Sequence, residues 1–148
     1  MLSTLRRFAD LTLLEQATLL QFIALSLSMK VALSVMSVSR LVFFLSRTQA
    51  SLVRKLAVLL PVHAEPQRLF FLTDIATGIS HGKRRCLPRS LLLFWLLRAA
   101  DPSISVCIGV SKNLADLEGH AWVEQDGVVL GDTVSFIDRY TPILRLPA

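Results

Sequence analysis

The first sixty residues of the chain contain neither glycine nor proline: Pro61 is the first proline and Gly78 the first glycine. Leu, Ala, Gln and Met, which favour helix, recur throughout this stretch, so the composition predicts that it is helical. A single helix over residues 10–60 would be about 75 Å long at about 1.5 Å per residue. A compact domain of this size has a radius of gyration of about 15 Å, so the segment must fold back on itself.

The breaks within this helical segment are expected where polar residues interrupt the apolar pattern. The serine-rich residues 26–30 and the polar residues 46–49 meet that description. Asp10 is the expected N-cap of the first helix, because a short carboxylate accepts hydrogen bonds from the free N–H groups of a first turn.

The positive charge of the protein is concentrated in the same segment. Residues 1–60 hold seven basic and two acidic side chains, whereas residues 61–148 hold nine of each, so the first half accounts for the net charge of +5. This asymmetry suits acidic peptides or anionic lipids. The basic residues are spread over fifty positions without a reader motif, so no nucleic-acid partner is expected.

A mean hydropathy of +0.56 requires that a membrane span be considered. Residues 16–39 are long enough to cross a bilayer and carry only the charge of Lys30. That charge near the middle, together with five serines, opposes insertion. The start at Arg6-Arg7-Phe8 lacks the unbroken apolar region and cleavage site of an export signal. We expect a cytoplasmic protein; whether residues 11–45 contact a membrane peripherally or a partner protein stays open.

Two further helices are predicted in the second half. Pro66 opens a segment with apolar residues at helical spacing that ends at or soon after Gly78. A Leu-rich segment begins at Cys86, has Pro88 in its first turn and stops at Asp101-Pro102. The second of these helices is expected to be buried and to start at Cys86.

Beyond Pro102 the apolar period changes from helical to two, which predicts three strands. They cover residues 105–110, 120–124 and 128–134. The last two should form a hairpin with the three-residue loop Gln125-Asp126-Gly127 and a bulge at Gly127. In that register His120 lies directly opposite Asp132, with Trp122 on the same face.

The two cysteines occupy unlike settings. Cys107 alternates with apolar residues and is expected in the core, while Cys86 stands at a helix start after two arginines. No disulfide and no metal site are expected from this spacing. The free N–H groups and positive dipole end of the helix favour a thiolate at Cys86, which is the nucleophilic form. With His120 as base and Asp132 to orient it, the residues form a candidate cysteine-nucleophile triad.

These motifs resemble a known family. The sequence Arg-Cys-Leu-Pro-Arg-Ser-Leu at 85–91, Ile-Gly-Val at 108–110, His-Ala-Trp-Val-Glu at 120–124, Asp-Gly at 126–127 and Asp132 together resemble the transglutaminase-like leader peptidases of lasso-peptide biosynthesis. The match covers about residues 86–140, and its ordered combination is more specific than any single motif. Residues 1–80 match only in character, as in the separately encoded form of that family.

The resemblance implies an α+β fold: a papain/transglutaminase-like cysteine peptidase core with an N-terminal helical segment and a small antiparallel sheet. Residues 1–65 would be the helical segment that packs on the core, and residues 66–148 the peptidase domain. Cys86 matches the nucleophile, His120 the general base and Asp132 the third member. The candidates for oxyanion stabilisation and substrate positioning are Leu87, His81 and Trp122.

The implied activity is removal of the leader from a ribosomally made lasso-peptide precursor in bacterial antibiotic biosynthesis. Such an enzyme needs no cofactor of its own. Its implied partners are the precursor, a leader-binding recognition protein and a lasso cyclase that uses ATP and Mg²⁺. Two alternatives remain: acyl transfer to an amine by the same triad, and a non-catalytic, membrane-associated scaffold module.

Overall fold

The computed structural model describes residues 12–56, 66–112 and 118–147. Within these ranges the chain has the expected α+β composition, with the long helices first and an antiparallel sheet after them. The elements are α1 (Leu13–Val35), α2 (Val38–Leu56), α3 (Pro66–His81), a 3₁₀ turn (Gly82–Arg84), α4 (Cys86–Arg98), β1 (Ile104–Ser111), β2 (Gly119–Gln125), β3 (Val128–Leu130), α5 (Val134–Ile137) and β4 (Tyr140–Leu146).

Helices α1 and α2 are separated at Met36, whose backbone is extended with φ −137° and ψ 157°. The expected breaks at residues 26–30 and 46–49 were wrong, since both stretches lie inside helices. Their serines donate back to carbonyls of the preceding turn, as Ser26 does to Ile23 and Ser46 to Phe43. A serine satisfied in this way does not interrupt a helix.

The start of α1 is fixed by a capping box. Glu15 donates its backbone N–H to the hydroxyl of Thr12, and its carboxylate accepts the backbone N–H of Thr12. Each residue thus satisfies a free donor of the other, and Thr12 is the N-cap. Asp10, the expected cap of the first helix, lies outside the described residues.

Helix α4 is the centre of the packing. It contacts α1, α2 and α3 as well as β1 and β2. Every residue from Pro88 to Leu96 is buried, and Leu91, Leu92 and Phe94 have no exposed surface. Each fully buried side chain of this kind contributes about 1.5–3 kcal/mol to stability. The prediction of a buried helix that begins at Cys86 is confirmed.

The sheet has the strand order β3-β2-β1-β4, and all neighbours are antiparallel. Strand β4 was not predicted from the sequence. It contains Pro142 and its residues 141–145 are exposed, so it shows no period-two burial pattern. Proline is tolerated because β4 is an edge strand. Its pairing with β1 also shifts register, between Ile108 and Gly109 of β1.

The β2–β3 turn differs from the expected one. Gln125 pairs with Val128, so the loop is only Asp126-Gly127. Both loop residues have positive φ, 49° and 84°, as in a type I′ turn. The predicted three-residue loop and the bulge at Gly127 were wrong, because the Asp-Gly pair satisfies the shorter turn, whose twist matches the strands. His120 is therefore not directly opposite Asp132 in the register.

Candidate active site

Cys86 is the first residue of α4 and its thiol is half-buried. A side-chain hydrogen bond to His120 is the main cause that lowers the pKa of Cys86 below its ordinary value of 9.0. Burial opposes this shift, while hydrogen bonds from the backbone of Ala121 and Leu87 support it. The sulfur thus sits among donors that favour the thiolate.

His120 lies near the start of β2, and its Nε2 is 3.3 Å from Oδ2 of Asp132. Because Nε2 faces the carboxylate, Nδ1 is the ring nitrogen left to face the thiol. Burial alone would lower the pKa of His120, but hydrogen bonds and charges from Asp132 and Cys86 raise it to about 9. The arrangement favours an imidazolium paired with a thiolate, which can attack an electrophilic carbon.

Aromatic rings hold the imidazole of His120 in place. The ring of Tyr140 is stacked on it with centroids 5.1 Å apart, and Phe136 approaches edge-on at 5.0 Å. Trp122 is stacked at 6.2 Å, is buried, and donates its Nε1–H to Glu124. Trp122 therefore supports His120 from the interior of the molecule rather than from the cleft.

Asp132 reaches His120 because β3 ends early. Continued beyond Leu130, the register that pairs Val123 with Leu130 would place Thr133 opposite His120 and turn Asp132 to the other face. Gly131 instead adopts φ +81°, which ends the strand alternation. A Cβ at this position would overlap the ring of Phe70, so a glycine is required.

Arg89 completes the site and was missed from the sequence. Its Nη2 donates to both oxygens of Asp132, at 3.0 and 2.7 Å, and its Nη1 donates to Asp74 at 3.2 Å. Its guanidinium also lies 4.5 Å from the ring centre of Phe70. The available signal was an arginine within an otherwise Leu-rich helix, since a buried charge requires partners.

The thiol and imidazole open into a cavity of about 690 Å³. Polar and charged side chains line it beside the catalytic candidates. These lining residues are Lys83, Arg85, Arg89, Glu118 and Tyr140. This volume lies within the range of about 300–1,000 Å³ that is usual for ligand sites in proteins.

His81, a candidate oxyanion donor, does not line this cavity. It lies at the end of α3 with its Nδ1 2.9 Å from the hydroxyl of Ser80. Burial and the neighbouring charge of Lys30 lower the pKa of His81. The backbone of Leu87, the other oxyanion candidate, is by contrast directed at the sulfur of Cys86.

Comparison with known proteins gives one family. A family model described as the transglutaminase-like superfamily matches residues 27–145, a range that includes Cys86, His120 and Asp132. No curated protein and no solved structure matches the chain.

Proposed function

The chain belongs to the transglutaminase-like superfamily, and on that premise we propose that it is a cysteine peptidase that removes the leader from a lasso-peptide precursor. The observation that carries the proposal is that Cys86 and His120, 34 residues apart in sequence, line one cleft, while Asp132 contacts the imidazole of His120 from behind it. The finer assignment, to leader removal, is supported by the ordered motifs around these three residues.

In the proposed reaction the Cys86 thiolate attacks the carbonyl carbon of the leader–core peptide bond. The oxyanion that forms would accept hydrogen bonds from N–H groups at the start of α4, including that of Leu87, which no longer faces a thiolate once the sulfur is bonded to the substrate. Imidazolium at His120 donates its proton to the departing amine of the core peptide. A thioester between Cys86 and the leader remains.

The second half of the reaction releases the leader. Neutral His120 takes a proton from a water molecule, whose oxygen attacks the thioester carbon. The leader leaves with a free carboxylate and Cys86 leaves as thiolate beside a reprotonated imidazole. If an amine replaced the water, the same thioester would give acyl transfer, so the product distinguishes the two activities.

The test is incubation of the purified protein with candidate precursor, with and without a leader-binding protein, followed by mass spectrometry. We expect cleavage at one peptide bond, with two fragments whose summed mass exceeds that of the precursor by one water. Cys86→Ala should abolish the cut and Cys107→Ala, the matched cysteine control, should retain it. A cut that survives Cys86→Ala would reject the peptidase, and a product joined to an amine would assign acyl transfer instead.

The partners of this reaction belong to the proposal. We propose a cytoplasmic peptidase that works with a leader-binding protein and with a cyclase that consumes ATP and Mg²⁺. The division into a helical segment at 1–65 and a domain at 66–148 remains a prediction. The outward face of α2, which presents Arg40, Phe43, Phe44 and Arg47 at positions i, i+3, i+4 and i+7, is the proposed docking site.

Exposure and charge support docking at this face of α2. Phe43 and Phe44 are 59% and 56% exposed, and the Arg47 guanidinium lies 4.6 Å from the ring centre of Phe43. No acidic residue occurs between Glu15 and Glu65 in the sequence. An acidic, partly apolar surface on the leader-binding protein would complement it.

A double variant Phe43→Ser/Phe44→Ser tests the docking face. We expect it to lose binding to the leader-binding protein in a pull-down while its thermal unfolding is unchanged. The control is Val128→Ser/Ile143→Ser, which removes apolar side chains of similar exposure from β3 and β4. If the Phe43→Ser/Phe44→Ser variant binds the leader-binding protein as the wild type does, this surface is not the docking site. If that variant instead loses binding to anionic vesicles, the face contacts a membrane.

A further inference from the structure

We infer that Arg89 is a positioning residue of the site: its guanidinium fixes the carboxylate of Asp132, and that carboxylate fixes the imidazole of His120. This inference rests on the proposed function, because it concerns the same three residues. Arg89 lies three residues after Cys86 on α4, one helical turn away. The helix that supplies the nucleophile would therefore also set the orientation of its base.

The contacts of Arg89 point at the site rather than at solvent. One nitrogen, Nη2, donates to Oδ1 and Oδ2 of Asp132, and Oδ2 is the oxygen that faces Nε2 of His120. Charge-assisted hydrogen bonds of this kind are stronger than neutral ones and fix geometry. The carboxylate is thereby held between a cation on α4 and the imidazole on β2.

The burial of Arg89 is difficult to explain by stability alone. The residue is 8% exposed, and among the described residues its Nε is buried without a hydrogen-bond partner. Apolar residues of similar volume often stabilise such a position as well as buried ion pairs do. An arginine that leaves one of its own donors unsatisfied, yet contacts both oxygens of Asp132, fits a role in the site.

The second carboxylate in the network anchors the guanidinium from behind. Asp74 on α3 accepts from Nη1 of Arg89 and also lies 3.1 Å from Nε of Arg85. Phe70, on the same helix, provides a ring face against the guanidinium. Two side chains of α3 thus restrict where Nη2 of Arg89 can point.

Removal of Arg89 should change the protonation of Cys86. A carboxylate freed from its anchor no longer holds the imidazole at the sulfur, and the thiol loses the hydrogen bond that most favours its thiolate. Its pKa should then rise toward the ordinary value. The charged and titratable groups that face Cys86 and His120 are Asp132, Arg89, Lys83, Arg85, Glu118 and Tyr140, with Asp74 behind Arg89.

The experiment measures the rate of Cys86 alkylation by iodoacetamide against pH, with the modified peptide identified by mass spectrometry. It needs no peptide substrate, so it is independent of the peptidase assay. For Arg89→Gln we expect the acidic limb of the profile to move to higher pH, so that the rate on that limb falls by about 10-fold for each pH unit of the shift. Arg89→Lys keeps the charge but not the planar guanidinium. Its alkylation rate and the position of its acidic limb should therefore lie between those of the wild type and Arg89→Gln.

Arg98→Gln is the matched control, because Arg98 also lies on α4. Its guanidinium lies over the ring of Phe94 and donates to the carbonyls of Pro102 and Ile104, with no contact to the triad. This variant should lose stability without moving the limb. If Arg89→Gln and Arg89→Lys unfold at lower temperature yet keep the wild-type limb, Arg89 is structural only and the inference is overturned.

Two further outcomes separate this inference from the proposed function. If Arg89→Gln does not fold, Arg89→Lys decides, since a shifted limb supports positioning and an unshifted limb rejects it. If the alkylation rate of wild-type Cys86 follows the pH dependence of an ordinary thiol, both the peptidase function and the role of Arg89 are rejected. If the wild type cleaves the precursor and the Arg89 variants keep the wild-type acidic limb, the proposed function stands and only the role of Arg89 is rejected.

Discussion

Nε2 of His120 lies 3.3 Å from Oδ2 of Asp132, although the register of β2 and β3, if continued, would turn the two side chains to opposite faces of the sheet. Gly131 resolves this by ending β3 in a left-handed conformation. The contact between base and carboxylate therefore depends on one backbone angle rather than on strand pairing.

Gly131→Ala is expected to destabilise the protein and to lower its activity, since its Cβ would overlap the ring of Phe70. Gly127→Ala is the matched control, because Gly127 has a similar φ of +84° but an empty surrounding. Both variants carry the left-handed strain of about 1–2 kcal/mol, and overpacking should add about 1–3 kcal/mol at Gly131. Urea unfolding of both measures the difference; equal losses would contradict the role assigned to Phe70.

The activity should be bell-shaped in pH, with an acidic limb below the ordinary thiol pKa of 9.0 and an alkaline limb at the pKa of His120, which is about 9. The pKa of Cys86 is lowered, so the rate rises as this thiol ionises below its ordinary value of 9.0. The rate then falls as His120 loses its proton at about 9. The measurement is kcat/KM for cleavage of the proposed precursor from pH 5 to about 10. A rate that only begins to rise near 9.0 would show an unassisted thiol.

Asp132→Asn should keep the size of the side chain but remove its negative charge. The carboxylate raises the pKa of His120, so the alkaline limb should move below about 9. A misoriented imidazole should also lower kcat/KM by about 100-fold. Asp126→Asn, in the exposed β2–β3 turn, is the control and should leave both quantities unchanged. An alkaline limb that stays in place in Asp132→Asn would contradict the pairing with His120.

Thiol-specific reagents should modify Cys86 in preference to Cys107. Cys107 has no exposed surface, and burial together with the charge of Glu124 raises its pKa to about 11. With both access and thiolate fraction reduced, its alkylation at neutral pH should be slower by about 100-fold or more. Peptide mapping after short labelling times measures the ratio, and labelling in urea, where both rates should converge, is the control.

Much of the framework was visible in the sequence because local chemistry determines it. Pro88 in a first turn and the Leu-rich run after it defined the start of α4 and its burial. Period-two alternation defined β1 and β2, and the family motifs led to Cys86, His120 and Asp132. The α+β class follows from these elements and from the superfamily match.

The remaining features depend on contacts that the sequence does not encode locally. No glycine or proline marks Met36 as the end of α1, and the hydroxyl of the neighbouring Ser34 donates to Val31 within the helix. The Asp-Gly pair fits more than one turn length, so the register was wrong by one residue. Arg89 carries no local sign of its carboxylate partners, which come from positions 15 residues before it and 43 residues after it.

Cys86 and Arg89 are one turn apart on α4, whereas His120 and Asp132 lie on β2 and just after β3. A slide of α4 along the sheet by about 1 Å would separate thiol from imidazole and guanidinium from carboxylate in the same step. The two contacts would therefore weaken together rather than separately. Because α1 and α2 both contact α4, a substitution that changes the packing of either helix is expected to disturb both contacts.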